Sequence, residues 1–151
     1  MRLSKQTNYA VRTLIYCALN HPELSRVPQV AKAFGISDMF LFKIIIPITR
    51  NGFLETVRGR RGGMRLARPA NQIRLVDVLA ITEDGFALSE CMAEDRETCP
   101  FRDRCAYTRA LERALAAFMD VLGEYTIADL AHSPATLKAA LGVELLEADE
   151  P

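Results

Sequence analysis

Three cysteines lie close together in an acidic segment of the chain, at Cys91, Cys99 and Cys105. Their spacing is C-x7-C-x5-C, and charged residues fill both gaps, so the segment is a poor candidate for a packed core. Thiolate sulfur is a soft ligand that favours zinc, copper(I) and iron–sulfur clusters. Closed zinc sites and clusters usually take four protein ligands, whereas this segment supplies three. The pattern therefore indicates a metal or redox site with one position filled from elsewhere or left open, which suits a sensor.

Composition and the N-terminus indicate a cytoplasmic protein of one domain or two small ones. The chain has 151 residues, and 50% of them are hydrophobic, enough for a core. No apolar run approaches the roughly 20 residues that cross a bilayer, and no signal core follows the first residues, so we expect no membrane partner. A reducing cytoplasm favours metal or redox chemistry over disulfides for the three cysteines. The fourth, Cys17, lies in a helical pattern and is expected to be a small buried hydrophobe.

No arrangement typical of an enzyme stands out in the sequence. There is no recognisable serine–histidine–acid set or carboxylate pair, and the glycines of residues 59–63 lack the lysine of a nucleotide-binding loop. His21 and His132 lie far from the cysteines and are expected at surface or capping positions. We therefore expect neither catalysis nor a small-molecule substrate.

The formal net charge of zero conceals a separation of charge along the chain. Residues 1–75 carry thirteen Lys and Arg against three acidic residues, a net charge of +10. Residues 76–151 carry six against sixteen, a net charge of −10. Two ordinary solvated surfaces would rarely divide charge so completely, so we expect the basic half to bind a polyanion, with nucleic acid preferred.

Apolar spacing in the basic half predicts three helices. The first covers residues 5–20 and the second residues 28–35. The third follows a cap at Ser37 or Asp38, and Pro47 should bend it or loosen its last turn. Its predicted inward stripe consists of Leu41, Ile44, Ile45 and Ile48.

A β-hairpin is predicted directly after the third helix, from two β-like runs on either side of the glycine-rich turn. Two helices, a turn, a third helix and a hairpin form the layout of a winged helix-turn-helix. The predicted fold class is therefore mostly α-helical with a small β-hairpin wing. The hairpin carries arginines that suit contact with phosphates, namely Arg58, Arg60, Arg61, Arg65 and Arg68. The alternative is a charged turn exposed to solvent, which the helix-turn-helix upstream disfavours.

The third helix is the predicted reader of DNA bases. With its apolar stripe inward, the residues that face outward are Met39, Lys43, Ile46 and Arg50. Lys43 suits guanine, and Met39 suits the methyl group of thymine. Phe40 and Phe42 flank this face. A core position is at least as reasonable for Phe42, whereas Phe40 is favoured as a DNA contact.

The acidic half is predicted to contain a fourth helix over residues 71–82, a cysteine loop over 84–104 and a long helix near 106–123. Apolar residues of the long helix recur at the 4-3-4 spacing of a coiled-coil seam, at Leu111, Leu115, Phe118 and Leu122. Such a stripe commonly packs on its own domain. Because helix-turn-helix proteins often read paired half-sites, we favour a homodimer interface instead. Thr126 is expected to cap one more short helix.

These elements divide the chain into four predicted parts. They are a DNA-binding domain over residues 1–82, a cysteine loop over 83–105, a dimerisation helix with a following short helix over 106–132, and a tail over 133–151.

In this order, the parts resemble the iron–sulfur-cluster winged-helix transcriptional regulators, the IscR-like family. The match is carried by the opening residues 1–11, by the wing sequence Glu55-Thr-Val-Arg-Gly-Arg-Arg-Gly-Gly63 and by the three cysteines, and it covers about residues 1–130. Within the family, the chain looks most like the rhizobial iron-responsive branch. That likeness is carried by Phe40-Leu-Phe-Lys-Ile44, by Thr82-Glu-Asp-Gly-Phe86 and by the seven residues between the first two cysteines.

The resemblance implies a homodimer that binds double-stranded operator DNA, with an iron–sulfur cluster in the loop of each subunit and pairing through the long helix. The implied cluster ligands are Cys91, Cys99 and Cys105. The implied DNA-facing residues are Ser37, Met39, Phe40, Lys43 and Arg58, to which the charge pattern adds Arg60 and Arg61.

Two departures from the family pattern concern the fourth ligand. The IscR pattern is C-x5-C-x5-C followed shortly by a histidine, whereas Tyr107 and Thr108 follow the third cysteine here. The nitric-oxide-sensing branch has an aspartate near the start of the first helix, whereas this chain has Asn8. We expect a [4Fe–4S] cluster with one iron held weakly by water, a small thiol or a carboxylate such as Glu90 or Asp103. A [2Fe–2S] cluster is the alternative.

The expected function is repression of iron-uptake genes by a dimer that loses operator affinity when its cluster is lost. One alternative keeps DNA binding and makes the three cysteines a zinc or thiol-redox switch. Another, from a different class, is a cluster carrier or electron-transfer protein whose basic half binds an acidic protein. The arginine-rich wing argues against this last alternative.

Overall fold

The computed structural model describes residues 2–92, 101 and 105–141. This part of the chain forms the helices α1 (Lys5–Leu19), α2 (Val27–Phe34), α3 (Asp38–Arg50), α4 (Leu75–Thr82), α5 (Ala106–Gly123), α6 (Ile127–Leu130) and α7 (Pro134–Leu141). An antiparallel hairpin of β1 (Leu54–Val57) and β2 (Gly63–Leu66) lies between α3 and α4, and short 3-10 turns lie at Ala70–Gln72 and Glu90–Met92. The predicted fold class, mostly α-helical with a β-hairpin wing, is confirmed. No helix in the described ranges has both the length and the apolar content needed to cross a bilayer.

Side-chain caps define where the helices of the helix-turn-helix begin. The Ser4 hydroxyl accepts a hydrogen bond from the backbone N–H of Thr7, and the Ser37 hydroxyl accepts one from Phe40. Such a cap is worth about 1 kcal/mol. Ser37, rather than Asp38, is therefore the N-cap of α3. Gly35 ends α2 at a φ of +63°, a left-handed conformation that glycine adopts without strain.

The core lies where α1 packs against α3, α4 and α6. The predicted inward stripe of α3 is confirmed, since all four of its members are buried: Leu41, Ile44, Ile45 and Ile48. Cys17 is buried in the same core, as expected, and burial raises the pKa of its thiol to about 12. A thiol that stays protonated is a poor metal ligand, so Cys17 is a packing residue.

Helix α3 continues through Pro47 to Arg50 without interruption. Its end is closed by Asn51, whose backbone N–H and side-chain amide both donate to the carbonyl of Pro47, at 3.1 and 2.9 Å. The proline removes one N–H from the helix, and these two bonds stabilise the turn that follows it.

The hairpin is fixed at its base and free at its tip. Ser25, between α1 and α2, exchanges two backbone hydrogen bonds with buried Met64 of β2, at 2.9 and 2.8 Å. These two backbone segments approach so closely that a Cβ at Gly63 would lie 2.8 Å from the carbonyl oxygen of Ser25. The wing is therefore positioned relative to α2 and α3 by backbone contacts, while Arg58 and Arg60 at its tip are exposed.

The second half differs from the expectation at two places. The predicted fourth helix starts at Leu75 instead of residue 71, because the preceding backbone pairs with a distant segment. The N–H of Leu75 donates to Tyr125, and the N–H of Ile127 donates to Ile73, at 2.8 and 2.9 Å. The segment predicted as a tail contains α7, and Leu141 packs against the main core. The predicted cap at Thr126 is confirmed, with α6 following it.

A polar network joins the start of α1 to the end of α4. The carboxylate of Glu83 accepts hydrogen bonds from the backbone N–H of Ser4, at 2.8 Å, and from the hydroxyl of Thr7. The Thr7 and Thr82 hydroxyls are 2.8 Å apart, and both residues are buried. The pKa of Glu83 is lowered by these hydrogen bonds despite the opposing effect of burial. Glu83, at the start of the predicted cysteine loop, is thus fixed to α1, the first helix of the DNA-binding unit.

Candidate nucleic-acid interface and metal centre

The outward face of α3 carries the residues expected there. Met39, Lys43, Ile46 and Arg50 are all exposed. Ser37 is also exposed, and its hydroxyl caps the helix. The start of α3 therefore presents a cation between apolar side chains on a surface that α1 and α2 leave uncovered.

The two flanking phenylalanines differ in exposure, and Phe40, the one favoured as a DNA contact, is the more covered. Phe40 is partly buried, and its ring meets Tyr9 of α1 edge-on at 5.6 Å between centroids. Phe42 is exposed instead. The reason is helical geometry, because Phe40 lies one turn before buried Ile44, whereas Phe42 lies one turn before exposed Ile46. Phe42 is thus a surface residue of α3, although the sequence made a core position at least as reasonable for it.

The five arginines of the hairpin divide into two groups. Arg65 pairs with Glu55 across the strands, and the guanidinium of Arg68 lies 4.4 Å from the ring centroid of Phe53. Among the residues that the structure describes, no ion pair involves Arg58, Arg60 or Arg61. The charges at the tip of the wing are therefore available to an external anion, whereas Arg65 and Arg68 stabilise its base.

Two of the three cysteines are influenced by one residue, Thr108. Cys91 lies in the 3-10 turn of Glu90–Met92, and its sulfur is 3.1 Å from the hydroxyl of Ser89 and 3.3 Å from that of Thr108. Cys105 is the N-cap residue of α5, and buried Thr108 lies one turn into the helix. Hydrogen bonds from Ser89 and Thr108 lower the pKa of the Cys91 thiol. The hydroxyl and backbone N–H of Thr108 likewise lower the pKa of Cys105. Thiolate, the form that binds metals, is thereby favoured at both positions.

The remaining candidates for the metal centre are Cys99, Asp103, Glu90 and the two histidines. Cys99 and Asp103 lie outside the described residues, and Glu90 is exposed. Within the described ranges, no group of three or more His, Cys, Asp or Glu side chains is placed to hold a metal ion. His132 caps α6 through a 2.6 Å contact with the carbonyl of Asp129 and, like His21, is exposed.

Sequence reasoning missed Thr108 as a participant in this centre. A hydroxyl three residues after a cysteine, one turn into a helix, is a usable signal for a side chain that reaches back to a thiol. The partnership with Cys91 could not be read from the sequence, because it joins residues 17 positions apart.

Helix α5 has a broad apolar face that the described residues of the chain leave open. Each member of the predicted seam is only partly buried, namely Leu111, Leu115, Phe118 and Leu122. Beside the seam runs a second stripe at 3-4-3-4 spacing whose members are all exposed, namely Tyr107, Ala110, Ala114, Ala117 and Val121. Tyr107 and Val121 are 62% and 52% exposed. No α5 residue belongs to the main core or to the apolar residues packed against it, although all of α5 is described. The sequence analysis missed this second stripe because alanine gives a weak apolar signal.

Comparisons with known proteins agree with this arrangement. The model of the Rrf2 family, described as an iron-dependent transcriptional regulator, matches residues 3–133. The chain is 54% identical over 144 residues to Protein aau3 of Rhizobium meliloti, which covers 95% of this chain and 94% of that protein. It is 39% identical over 142 residues to the HTH-type transcriptional regulator NsrR of Geobacillus kaustophilus, with 93% and 97% covered. The solved structure of T. potens IscR is similar with a TM-score of 0.69 at 20% identity, over 98% of this chain and 94% of that one.

The solved structure supports the fold. The family match and the NsrR relative support the class of protein, a transcriptional regulator. The expectation that the chain is a transcriptional regulator and no enzyme is confirmed. With a family model that spans 3–133 of its 151 residues, the chain belongs to the Rrf2 family of iron-dependent transcriptional regulators.

Proposed function

We propose that this protein is a homodimeric repressor of iron-uptake or iron-homeostasis genes whose DNA binding depends on an iron–sulfur cluster. The observation that carries the proposal is the placement of Thr108, at the start of the long helix: its hydroxyl lies 3.3 Å from the sulfur of Cys91, and it lowers the pKa of Cys105, one turn before it. The description of the family as iron-dependent supports the iron-related role. The similarity to a protein of Rhizobium meliloti supports the rhizobial branch that the sequence motifs indicated.

DNA binding is assigned to the exposed face of α3 and the tip of the wing. In winged helix-turn-helix proteins the recognition helix reads base edges in the major groove, while contacts to the sugar-phosphate backbone set its register. We assign the first task to Met39 and Lys43, with Ser37 at the helix start, and the second to Arg58, Arg60 and Arg61. Phe40 supports this face by packing on Tyr9 and holds α3 against α1.

The cluster is assigned to Cys91, Cys99 and Cys105, and the two described thiols fit that role. Both have lowered pKa values, and buried Thr108 contributes to both shifts, so they are poised to bind a metal as thiolates. When bound, the cluster would be a cofactor that is sensitive to iron supply and to oxygen. The segment offers three thiols for four positions, so we propose that the fourth position is held weakly by water, a small thiol or a carboxylate of Glu90 or Asp103.

Dimerisation is assigned to the apolar face of α5. An uncovered apolar face of this length, beside a helix-turn-helix, favours pairing of two copies about a two-fold axis. Because Cys105 caps the same helix, ligation of the cysteines would act directly on its first turn. The proposed coupling is that ligation fixes how α5 is held and thereby sets the separation of the two wings on DNA.

Removal of the two tip charges should weaken DNA binding without regard to sequence. The Arg60→Ala/Arg61→Ala variant makes fewer phosphate contacts and therefore releases fewer counterions when it binds. The magnitude of the slope of log K against log salt should fall by roughly two. Fluorescence anisotropy with operator and random duplexes between about 50 and 200 mM salt measures both quantities. Arg65→Ala is the matched control, because Arg65 pairs with Glu55 within the hairpin. Unchanged affinity and slope in the double variant would show that the wing does not touch DNA.

Loss of any loop cysteine should abolish the visible absorption of protein purified without oxygen. Alanine at Cys91, Cys99 or Cys105 removes a ligand, whereas Cys17→Ala should keep the chromophore because Cys17 is buried in the core. Absorption spectra with iron and sulfide analysis measure the result. A bleached Cys17→Ala protein that is still folded would contradict this ligand set. A colourless wild type that contains stoichiometric zinc would favour the zinc-switch alternative.

A charge on the open face of α5 should separate the dimer. Val121→Lys places an ammonium group among apolar side chains, and sedimentation velocity should show a folded monomer with weakened operator binding. Ala116→Lys is the matched control, because Ala116 lies on the polar side of α5 between Glu112 and Asp120. If Val121→Lys and Leu115→Glu both remain dimeric, the interface lies elsewhere.

A further inference from the structure

We infer that four exposed apolar residues, Met39, Phe42, Ile46 and Val57, form a patch that reads thymine methyl groups in the major groove of the operator. The inference rests on the proposed DNA-binding function and adds the chemical basis of its specificity. These residues are called the apolar patch below. Lys43 lies within the patch on α3.

The patch is conspicuous because large apolar side chains are left in water. Met39 is 74% exposed, Phe42 52%, Ile46 48% and Val57 40%. Met39, Phe42 and Ile46 follow one another at i, i+3 and i+7, so they lie along a single face of α3. Single exposed apolar residues are ordinary, but a contiguous set on one face marks a surface that meets a partner.

A cleft joins the helical part of the patch to the wing. Phe42 of α3 and Val57 of β1 line the same cavity of about 330 Å³, together with Arg26 and Arg60. The apolar surface thus continues from α3 onto the hairpin, and two arginines line the cleft with it. A fitting partner must therefore offer apolar groups and negative charge within the same few ångströms.

Duplex DNA that contains thymine is the partner that meets both requirements. Thymine alone among the four bases carries a methyl group on its major-groove edge, where an α-helix fits, and phosphates border that groove. Lys43, one turn from Met39 and from Ile46, suits the acceptors of guanine. The residues therefore favour half-sites in which a guanine is flanked by thymines. An acidic protein with an apolar helix face could also satisfy the patch, but the net charge of +10 over residues 1–75 and the membership of a DNA-binding family favour DNA.

The test removes the methyl groups and nothing else. Operator sequences are first selected from a random duplex library with the cluster-loaded dimer, and the thymines of the half-sites are then replaced by deoxyuridine. Each contacted methyl should contribute about fourfold in affinity, which corresponds to burial of one CH₂-sized group. Deoxyuridine placed in the spacer between half-sites should have no effect.

A variant locates the contact in the protein. Phe42→Ala should bind the thymine operator more weakly and should lose its dependence on methyl groups near Phe42. Because Phe42 is a surface residue, the variant should fold, which circular dichroism checks. Tyr125→Ala is the matched control, since Tyr125 is an exposed aromatic residue at the end of α5 and its loss should leave the methyl dependence intact.

The outcomes separate this inference from the function on which it rests. If the protein selects specific sites but deoxyuridine leaves its affinity unchanged, the inference is wrong and DNA binding stands. If Phe42→Ala leaves operator affinity and methyl dependence unchanged, the inference is likewise wrong and the patch belongs to a protein partner. If no sequence is selected over random DNA, the proposed function itself fails.

Discussion

The placement of α5 depends on backbone pairing between two segments that are far apart in the sequence. The N–H groups of Leu75 and Ile127 donate to the carbonyls of Tyr125 and Ile73, and Ile127 is fully buried in the core that contains α1 and α3. These contacts fix the C-terminal end of the helix to the DNA-binding unit. The N-terminal end depends on the cysteine segment, through the contact of Thr108 with Cys91. A change in the cysteines would therefore act on the N-terminal end of a helix whose C-terminal end is anchored.

A path of contacts also leads from the end of α4, after which the cysteine segment follows in the sequence, to α3. Glu83, just after α4, binds the start of α1 through Ser4 and Thr7, and α1 packs directly on α3. Tyr9 of α1 and Phe40 of α3 are part of that packing. Contacts alone do not make a switch, since coupling requires an element with two arrangements that both sites favour differently. We propose that α5 is that element, because the helix through which two copies would pair contributes no residue to the main core.

Local patterns in the sequence were sufficient for most of the DNA-binding unit. The apolar stripe of α3, the cap at Ser37 and the glycine-rich hairpin are set by periodicity and by side chains close in the sequence, and the structure has all three. The start of α4 was wrong because Ile73 pairs with Ile127, a partner no local pattern contains. Phe40, which was favoured as a DNA contact, is partly buried because it lies one turn before buried Ile44 and packs on Tyr9. For Phe42 both positions had been left open, and the ring is exposed. The role of Thr108 likewise depended on folding that brings Cys91 to α5.

The central claim is that ligation at the cysteines controls affinity for the operator. It is tested most directly by operator binding of one protein preparation under anaerobic conditions, before and after the cluster is removed, with Cys91→Ala in parallel. We predict that the cluster-free wild type and Cys91→Ala both bind the operator about 5- to 150-fold more weakly than the loaded protein, the range of a typical coupling between two sites. Affinity for random DNA should change little, because the wing charges remain. Equal operator affinity with and without the cluster, in a protein that is dimeric in both states, would contradict the claim.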